Sequence, residues 1–489
     1  MLSLLLLASP SDGALIRVQT PTPADAAAVH ELGLDVWTEA PRGPWLDVRV
    51  RPGEQALLDL TGLDYVVRDP DLGVRAQHER LRLSGPVVHG GLPQEDFYAD
   101  YQPLEAIHTR LDELAALRPD LAHTTSAGDS LEGRPLRAIE ISAADAEAPA
   151  VLIDAGQHAR EWIAIAATTC VAERLVREAD ALGPQLEQVR FIVLPVVNPD
   201  GYVHTWEEDR YWRKNRRPPD GVDLNRNFPV AFGGEGASGN PSSGNFHGEA
   251  PFSEPESAAI RDLAETVGPL LALLDVHSFG QLVLYPWGFQ LDPAPADRAL
   301  APIAETFALA LASPYATDYV SLPGAAFYPA SGNIMDWAYG ELGAYAYGLE
   351  LRPSQDVDPP GGFVLPPEDI LPVCDELFEG VLTLTKEAID AEPPGAGDDG
   401  GATAGGSTST GAGPEEPPPA DGSSSSGAVG GTAGSTSTGS PDEVDSASSG
   451  SAPHEDESTS ASGCGCTSGT NTGWLWMVLL PAVVRRRRN

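Results

Sequence analysis

Positive charge is scarce in this sequence. Its 489 residues hold 30 Lys and Arg against 71 Asp and Glu, a formal net charge of −41. So acidic a chain repels phosphates, which excludes nucleic acid as a partner. The acidity suits a soluble, exported protein and identifies no substrate. Cysteine is scarce too, with four residues in all, of which Cys464 and Cys466 lie near the C-terminus. They form no disulfide scaffold and no zinc-knuckle spacing. Cys170 and Cys374 lie far apart, each in or beside helix-like sequence. Two buried thiols are the default reading, and a bridge between them is the alternative. Also missing is an apolar run long enough for a membrane span of about 17–25 residues.

The opening stretch, "MLSLLLLASPSDGA", has a short apolar core followed by small residues but no basic lead. Residues 1–13 read equally as the remnant of an export signal or as a frayed start. Residues 14–74 read as a small α+β unit. "ALIRVQT" and "WLDVRV" alternate like half-buried strands, "ADAAAVHELG" and "GEQALLDL" look helical, and "DYVVRD" looks like another strand. Residues 75–94 begin with "RAQHERLRLSG", which reads as an exposed, protease-sensitive connector carrying Arg75, Arg80 and Arg82.

From 95 to 391 strand-like and helix-like runs alternate. "APAVLID", "FIVLPVVN", "LLALLDVH" and "AYAYGLELR" are apolar strand candidates. "LEAIHTRLDELAALRP", "IAIAATTCVAERLVREA" and "ELFEGVLTLTKEAID" are helix candidates. The fold class expected is α/β, a mixed central sheet with helices on both faces. Composition then collapses. Residues 392–463 are almost entirely Gly, Ser, Thr, Ala, Pro, Asp and Glu, and no Lys or Arg occurs between Lys386 and Arg485. Such a segment cannot bury enough apolar surface to order itself and reads as a stalk. Residues 464–489, "CGCTSGTNTGWLWMVLLPAVVRRRRN", place small residues with Cys before a short apolar run and four arginines. That order resembles the MYXO-CTERM tail of surface-sorted bacterial proteins, which implies sorting machinery as a partner. A plain weak membrane anchor is the other reading. Either one puts the main unit outside the cytoplasm, at the cell surface at least transiently.

The chemistry starts at "GQHAREW", residues 156–162, where the "APAVLID" run meets a glycine. His158 and Glu161 are three apart, so one helical turn would align them, and imidazole with carboxylate suits zinc. The pair alone is weak evidence. A catalytic zinc needs a third protein ligand, and His277 follows a second apolar run, a place where α/β sheets put their sites. "DRYWRKNRR" and "GVDLNRNF" gather cations in an acidic protein, with Arg226 between two asparagines after a β-like stretch. Arginine grips carboxylates bidentately. "FYPASGNIMDW" supplies Tyr328 in a Pro/Gly-rich loop. Glu350 sits within the apolar "AYAYGLELR". A carboxylate there is costly unless paired or functional, and a salt bridge to Arg352 competes with a catalytic role.

Taken in order, His158-x-x-Glu161, Arg213, Asn225-Arg226, His277-Ser278, Tyr328 and Glu350 resemble the zinc metallocarboxypeptidases of the carboxypeptidase A/B type. The likeness runs from about Tyr98 to Ala391, and the unit before it resembles that family's inhibitory pro-segment in size and pattern. The resemblance implies one Zn2+ held by His158, Glu161 and His277, with a place left for water. It implies Glu350 as general base and then proton donor, and Arg213 as stabiliser of the developing oxyanion. Asn225 and Arg226 would hold the free C-terminal carboxylate of a peptide or protein. Tyr328 would cap the terminal residue, Arg160 would position the peptide further along, and Asp223 would orient His158. Met335 falls at the floor of the specificity pocket and favours apolar or aromatic terminal residues. Asp275 adds some attraction for basic ones. The resemblance also implies an activating protease cutting near Arg80 or Arg82. A cell-wall peptide carboxypeptidase and a non-catalytic surface binding protein are the rival readings.

Overall fold

The structure is a computed structural model that describes residues 12–38, 44–84, 91, 93–292, 294, 297–355 and 362–391. Residues 1–11, most of the segment between the two folded units (85–90 and 92), the stalk (392–463) and the tail (464–489) lie outside the described residues. No helix among the described residues is long and apolar enough to cross a membrane.

Four short strands make the first sheet: β1 (Ala14–Gln19), β2 (Asp35–Val36), β3 (Trp45–Val50) and β4 (Tyr65–Asp69), in the order β2-β3-β1-β4. Every pairing is antiparallel. Alternation along β1 and β3 sends Ile16, Val18, Leu46, Val48 and Val50 into a small core with Val29, Leu34 and Leu58. The helix Pro23–Glu31 starts where a sequence reader would place it. Thr22 and Asp25 form a reciprocal capping box, with Pro23 in the first turn. The opposite face of β3 is polar yet buried. Asp47 pairs with Arg17 (2.6 Å), and Arg49 reaches outward to Asp209 of the larger body (2.9 Å).

Here the connector expectation needs correction. Residues 72–83 are a helix, opened by Asp71, whose side chain accepts from the Gly73 amide (3.0 Å). Leu72, Ala76 and Glu79 lie along its buried face. Glu79 pairs with the buried Arg210, Arg80 donates to the Glu208 carbonyl (2.7 Å), and Arg82 pairs with Asp100. A run rich in arginine reads as exposed, but these arginines and this glutamate meet partners supplied by the larger body.

That body is built on eight strands: β5 (Ala122–Asp129), β6 (Pro135–Ile141), β7 (Ala150–Ala155), β8 (Arg190–Leu194), β9 (Leu270–Ser278), β10 (Leu282–Tyr285), β11 (Val320–Pro323) and β12 (Tyr345–Leu351). Their order is β11-β10-β12-β9-β7-β8-β6-β5. The centre, β12-β9-β7-β8, is parallel, and antiparallel pairs flank it. All six residues of β7 are buried, as expected of a parallel strand covered on both faces. The sheet is mixed and carries helices, so the fold class is the one expected. Parallel strands bring the carboxyl ends of β7, β9 and β12 to one edge.

Cys170, in the helix Trp162–Arg177, is disulfide-bonded to Cys374, in the helix Ile370–Asp390. The two-thiol default is therefore replaced by the alternative. Only the packing of these two helices against each other brings residues 204 apart in sequence to a Cα separation of 5.9 Å.

Candidate active site

The turn after β7 opens with Gly156 at φ +72°. A Cβ there would stand 2.9 Å from Ile165 and 3.3 Å from the Pro195 carbonyl, so the turn needs glycine. His158 follows within the turn, and Glu161 is the residue that caps the helix Trp162–Arg177. The two are joined by a turn, with the Glu161 amide donating to the His158 carbonyl (3.2 Å), rather than by the helical turn the spacing suggested. His277 arrives from β9.

His158 Nδ1 lies 2.9 Å from one oxygen of Glu161, and His277 Nδ1 lies 2.9 Å from the other. The two imidazoles are tilted, with centroids 4.6 Å apart. One donor atom from each of the three residues falls within 4.8 Å of the others, and all three residues are buried. The outward nitrogens face carboxylates: His158 Nε2 is 3.2 Å from Asp223, and His277 Nε2 is 2.7 Å from Asp275. Two imidazoles and one carboxylate, each imidazole braced by a further carboxylate, suit zinc. Burial alone would raise the Glu161 pKa, but His158 and His277 outweigh it and hold the carboxyl well below its usual range. Burial would raise Asp223 too, yet Arg213 and Arg226 hold it well below. Burial would lower His277, and Asp275 with Glu161 pushes it well above.

β12 lies parallel to β9, and its register sets Glu350 beside His277. Arg352, the rival partner for Glu350, is instead held by Glu376 (3.0 Å) and Asp369 (3.2 Å). Arg213 donates to Asp223 (2.9 Å), and its Nη1 lies 3.3 Å from His158 Nδ1. Asp223 caps the short turn Leu224–Arg226, which replaces the β-like reading of "GVDL". That turn aims Asn225 and Arg226 at one spot. Arg226 Nη2 donates to the Tyr328 hydroxyl (2.9 Å), and Asn225 Nδ2 donates to Asp275 (2.9 Å). Gly332, at φ +76°, lets the Tyr328 loop pass where a Cβ would sit 2.5 Å from the Arg226 carbonyl.

Several of these groups line one cavity that is open to solvent. His158, His277, Glu350, Asn225, Arg226 and Tyr328 line it, with Asn225 Nδ2 3.0 Å from His277 Nε2, and Met335, Leu284, Phe327 and the glycines 288, 324 and 348 complete the wall. Asp275 also lines it, but its role differs from that expected. One oxygen meets His277 and Asn225, and the other accepts from Gln157 (2.9 Å). Both oxygens thus have partners, one of them the imidazole of His277. Arg160 lies outside this cavity. It is 1% exposed, beneath the small N-terminal unit, and its Nη1 donates to Asp35 (2.7 Å).

Sequence reasoning missed Asp35, Gln157, Glu79 and Arg210, along with the glycine-lined wall. Asp35 left one signal, a carboxylate two residues before Trp37 in an otherwise apolar "LGLDVW". Nothing local marks the others.

A zinc carboxypeptidase family model matches residues 107–380. Carboxypeptidase A4 of Mus musculus is 36% identical over 349 residues, 69% of this chain and 81% of the relative. Carboxypeptidase A1 of Rattus norvegicus is 32% identical over 396 residues, 77% of this chain and 93% of the relative. Among solved structures, carboxypeptidase A from Helicoverpa armigera superposes with a TM-score of 0.69 at 30% identity, over 79% of this chain and 99% of its own. Thrombin activatable fibrinolysis inhibitor gives 0.67 at 25% identity, over 77% and 99%.

Proposed function

Since this chain belongs to the zinc carboxypeptidase family and is a metallocarboxypeptidase acting on peptide or protein C-termini with Zn2+, we propose that it removes single apolar or aromatic residues. It does so outside the cytoplasm, once its N-terminal unit has been cut away. The observation that carries this reading is one cavity lined both by two members of the metal-ligand triad, His158 and His277, and by the residues of a carboxylate clamp. A clamp for a main-chain carboxylate beside the scissile bond makes an exopeptidase, because only the C-terminal residue carries its carboxylate there.

His158, Glu161 and His277 would hold the metal, which when bound would acidify a water and polarise the carbonyl. Glu350 would accept the nucleophile's proton on its carboxylate and return it to the leaving amine. Arg213 donates to the oxygen that gains charge as the carbonyl is attacked, while Asp223 keeps its guanidinium in place. Arg226 and Asn225 bind the terminal carboxylate, and Tyr328 covers it. The terminal side chain enters the wall of Leu284, Phe327 and Met335, with no side chain at 324 or 348 to shorten it. The commitment of Asp275 to His277 and Asn225 favours apolar over basic residues there.

The N-terminal unit is proposed as an inhibitory pro-segment, supported by the buried pairs Asp35–Arg160 and Arg49–Asp209. An activating protease must open the end of the helix Leu72–Leu83 to reach Arg80 or Arg82, since both are helical and tied to the larger body. The Cys170–Cys374 bridge supports an oxidising compartment, and the tail sequence supports surface attachment through sorting machinery.

Mass spectrometry of trimmed peptides tests the reading. The processed chain should shorten peptides ending in Phe or Leu one residue at a time and spare those ending in Lys, Arg or Glu. A zinc chelator should stop it. Cleavage inside peptides, or trimming of amidated ends, would sink the exopeptidase reading.

A further inference from the structure

Each imidazole of the metal triad has a carboxylate behind it, and both carboxylates hold the same second residue. Asp223 Oδ1, 3.2 Å from His158 Nε2, also accepts from the backbone amide of Asn225 (3.0 Å). Asp275 Oδ2, 2.7 Å from His277 Nε2, also accepts from the side-chain amide of Asn225 (2.9 Å). Asn225 of the carboxylate clamp is therefore suspended between the braces of the two histidines, its backbone on one and its side chain on the other. Its amide oxygen accepts from the Ile334 backbone (2.9 Å), one residue before Met335 of the cavity wall.

Asp275 is fixed from behind. It is 1% exposed and lies on β9 beside Asp154 of β7. Its Oδ1 accepts from Gln157 Nε2 (2.9 Å), the neighbour of His158 in the turn after β7. A buried carboxylate with both oxygens bonded keeps one orientation. His277 presents Nδ1 to the triad, so a metal bound there leaves the ring proton on Nε2, where Asp275 receives it. Nε2 then accepts nothing from Asn225 Nδ2, 3.0 Å away. An amide nitrogen carries two hydrogens. Asp275 takes one, and the other is left for an oxygen in the cavity.

We propose that Asp275 is a positioning residue that couples the metal ligand His277 to Asn225 of the clamp, so that binding of metal and binding of a terminal carboxylate strengthen each other. This rests on the exopeptidase reading above, in which Asn225 meets substrate. A carboxylate acting only through its charge would do the opposite. It would repel the substrate's carboxylate, and its removal would tighten binding.

The test uses the processed full chain and 3-phenylpropionate, a single carboxylate on an apolar tail. Calorimetry gives its affinity with and without zinc, and competition against a chelator gives the affinity for zinc. In the native chain saturating 3-phenylpropionate should tighten zinc about fivefold, and zinc should tighten 3-phenylpropionate by the same factor. Asp275→Ala should weaken zinc about tenfold, weaken 3-phenylpropionate about fivefold and bring the mutual factor to about one. Asp275→Asn keeps an acceptor oxygen without the charge and should fall between native and Ala. If the alanine variant does not fold, the direction of change in the Asn variant decides. Tighter 3-phenylpropionate binding in either variant, or a mutual factor that the variants leave unchanged, overturns the coupling and leaves the exopeptidase standing. No binding of 3-phenylpropionate to the native zinc-loaded chain removes the clamp, and the exopeptidase reading and the coupling fall together.

Discussion

The two folded bodies are stabilised in different ways. The eight-stranded body has one continuous core running from Phe97 to Ala388, and its central strands are apolar on both faces. Among the described residues the four-stranded unit has a core of eight buried residues, while Leu60 and Val67 stand half-exposed or more on its surface. What the small unit lacks in core it gains at its interface. Buried arginines on both sides meet carboxylates across the boundary, and Trp37 enters an aromatic cradle. A body held by its own packing can keep a metal site rigid. The small unit is held instead through charge pairs and a shared cluster in which Leu15, Trp37, Leu72 and Ala76 meet Tyr211, Phe279 and Phe363.

The largest expected effect concerns the larger body alone. Replacing Cys170 and Cys374 by Ser opens a covalent loop spanning 204 residues. Loop closure of that length is worth about 5 kcal/mol. Denaturant melts should show that loss in the eight-stranded body with docking of the small unit retained. An unchanged midpoint would show that packing, not the bridge, joins those helices. Next is chemistry. Glu350→Gln should lower kcat by about 10²–10⁴-fold with zinc content unchanged by metal analysis. Activity near the original would assign the base to another group.

The comparison sharpens at the boundary. Asp35→Asn leaves Arg160 buried against a neutral partner, which should weaken docking by about 2–3 kcal/mol. The uncleaved chain should then show raised activity on short peptides. No rise would mean that Trp37 and the Glu79–Arg210 pair suffice. The smallest effect is in pH. Burial would raise Asp35 and Asp209, but Arg160 and Arg49 outweigh it and hold them low. A depressed carboxylate stabilises docking fully above its free pKa of about 3.9 and loses that contribution as pH falls through the docked value. Latency should hold from pH 9 to about 5 and weaken only below about 4, by gel filtration of the nicked chain. Release near pH 6 would point to a histidine instead.

Most of the metal site was legible because its parts sit where apolar strands end. His158 and His277 each follow a run that can only be a buried strand, and glycine marks the turn before His158. Other roles depended on partners far away. Asp275 looked like a pocket charge, and its task follows from Asn225, fifty residues earlier. Arg352 looked like a partner for Glu350 and belongs to Glu376. The helix Leu72–Leu83 looked like an exposed connector because Glu79 is charged, and its burial is set by Arg210, 131 residues on.

By itself the sequence determined the strands β1, β3, β4, β7, β8, β9 and β12, the glycine break before His158, the acidic low-complexity stretch, and the residue types able to hold zinc and a carboxylate. These follow from local periodicity and side-chain chemistry, which need no third dimension. Tertiary structure alone decided which carboxylate each arginine meets, that Cys170 reaches Cys374, and that Arg160 lies under Asp35 rather than in the cavity. Pairing of charges and thiols depends on distance in space, and neither composition nor spacing along a chain carries that distance.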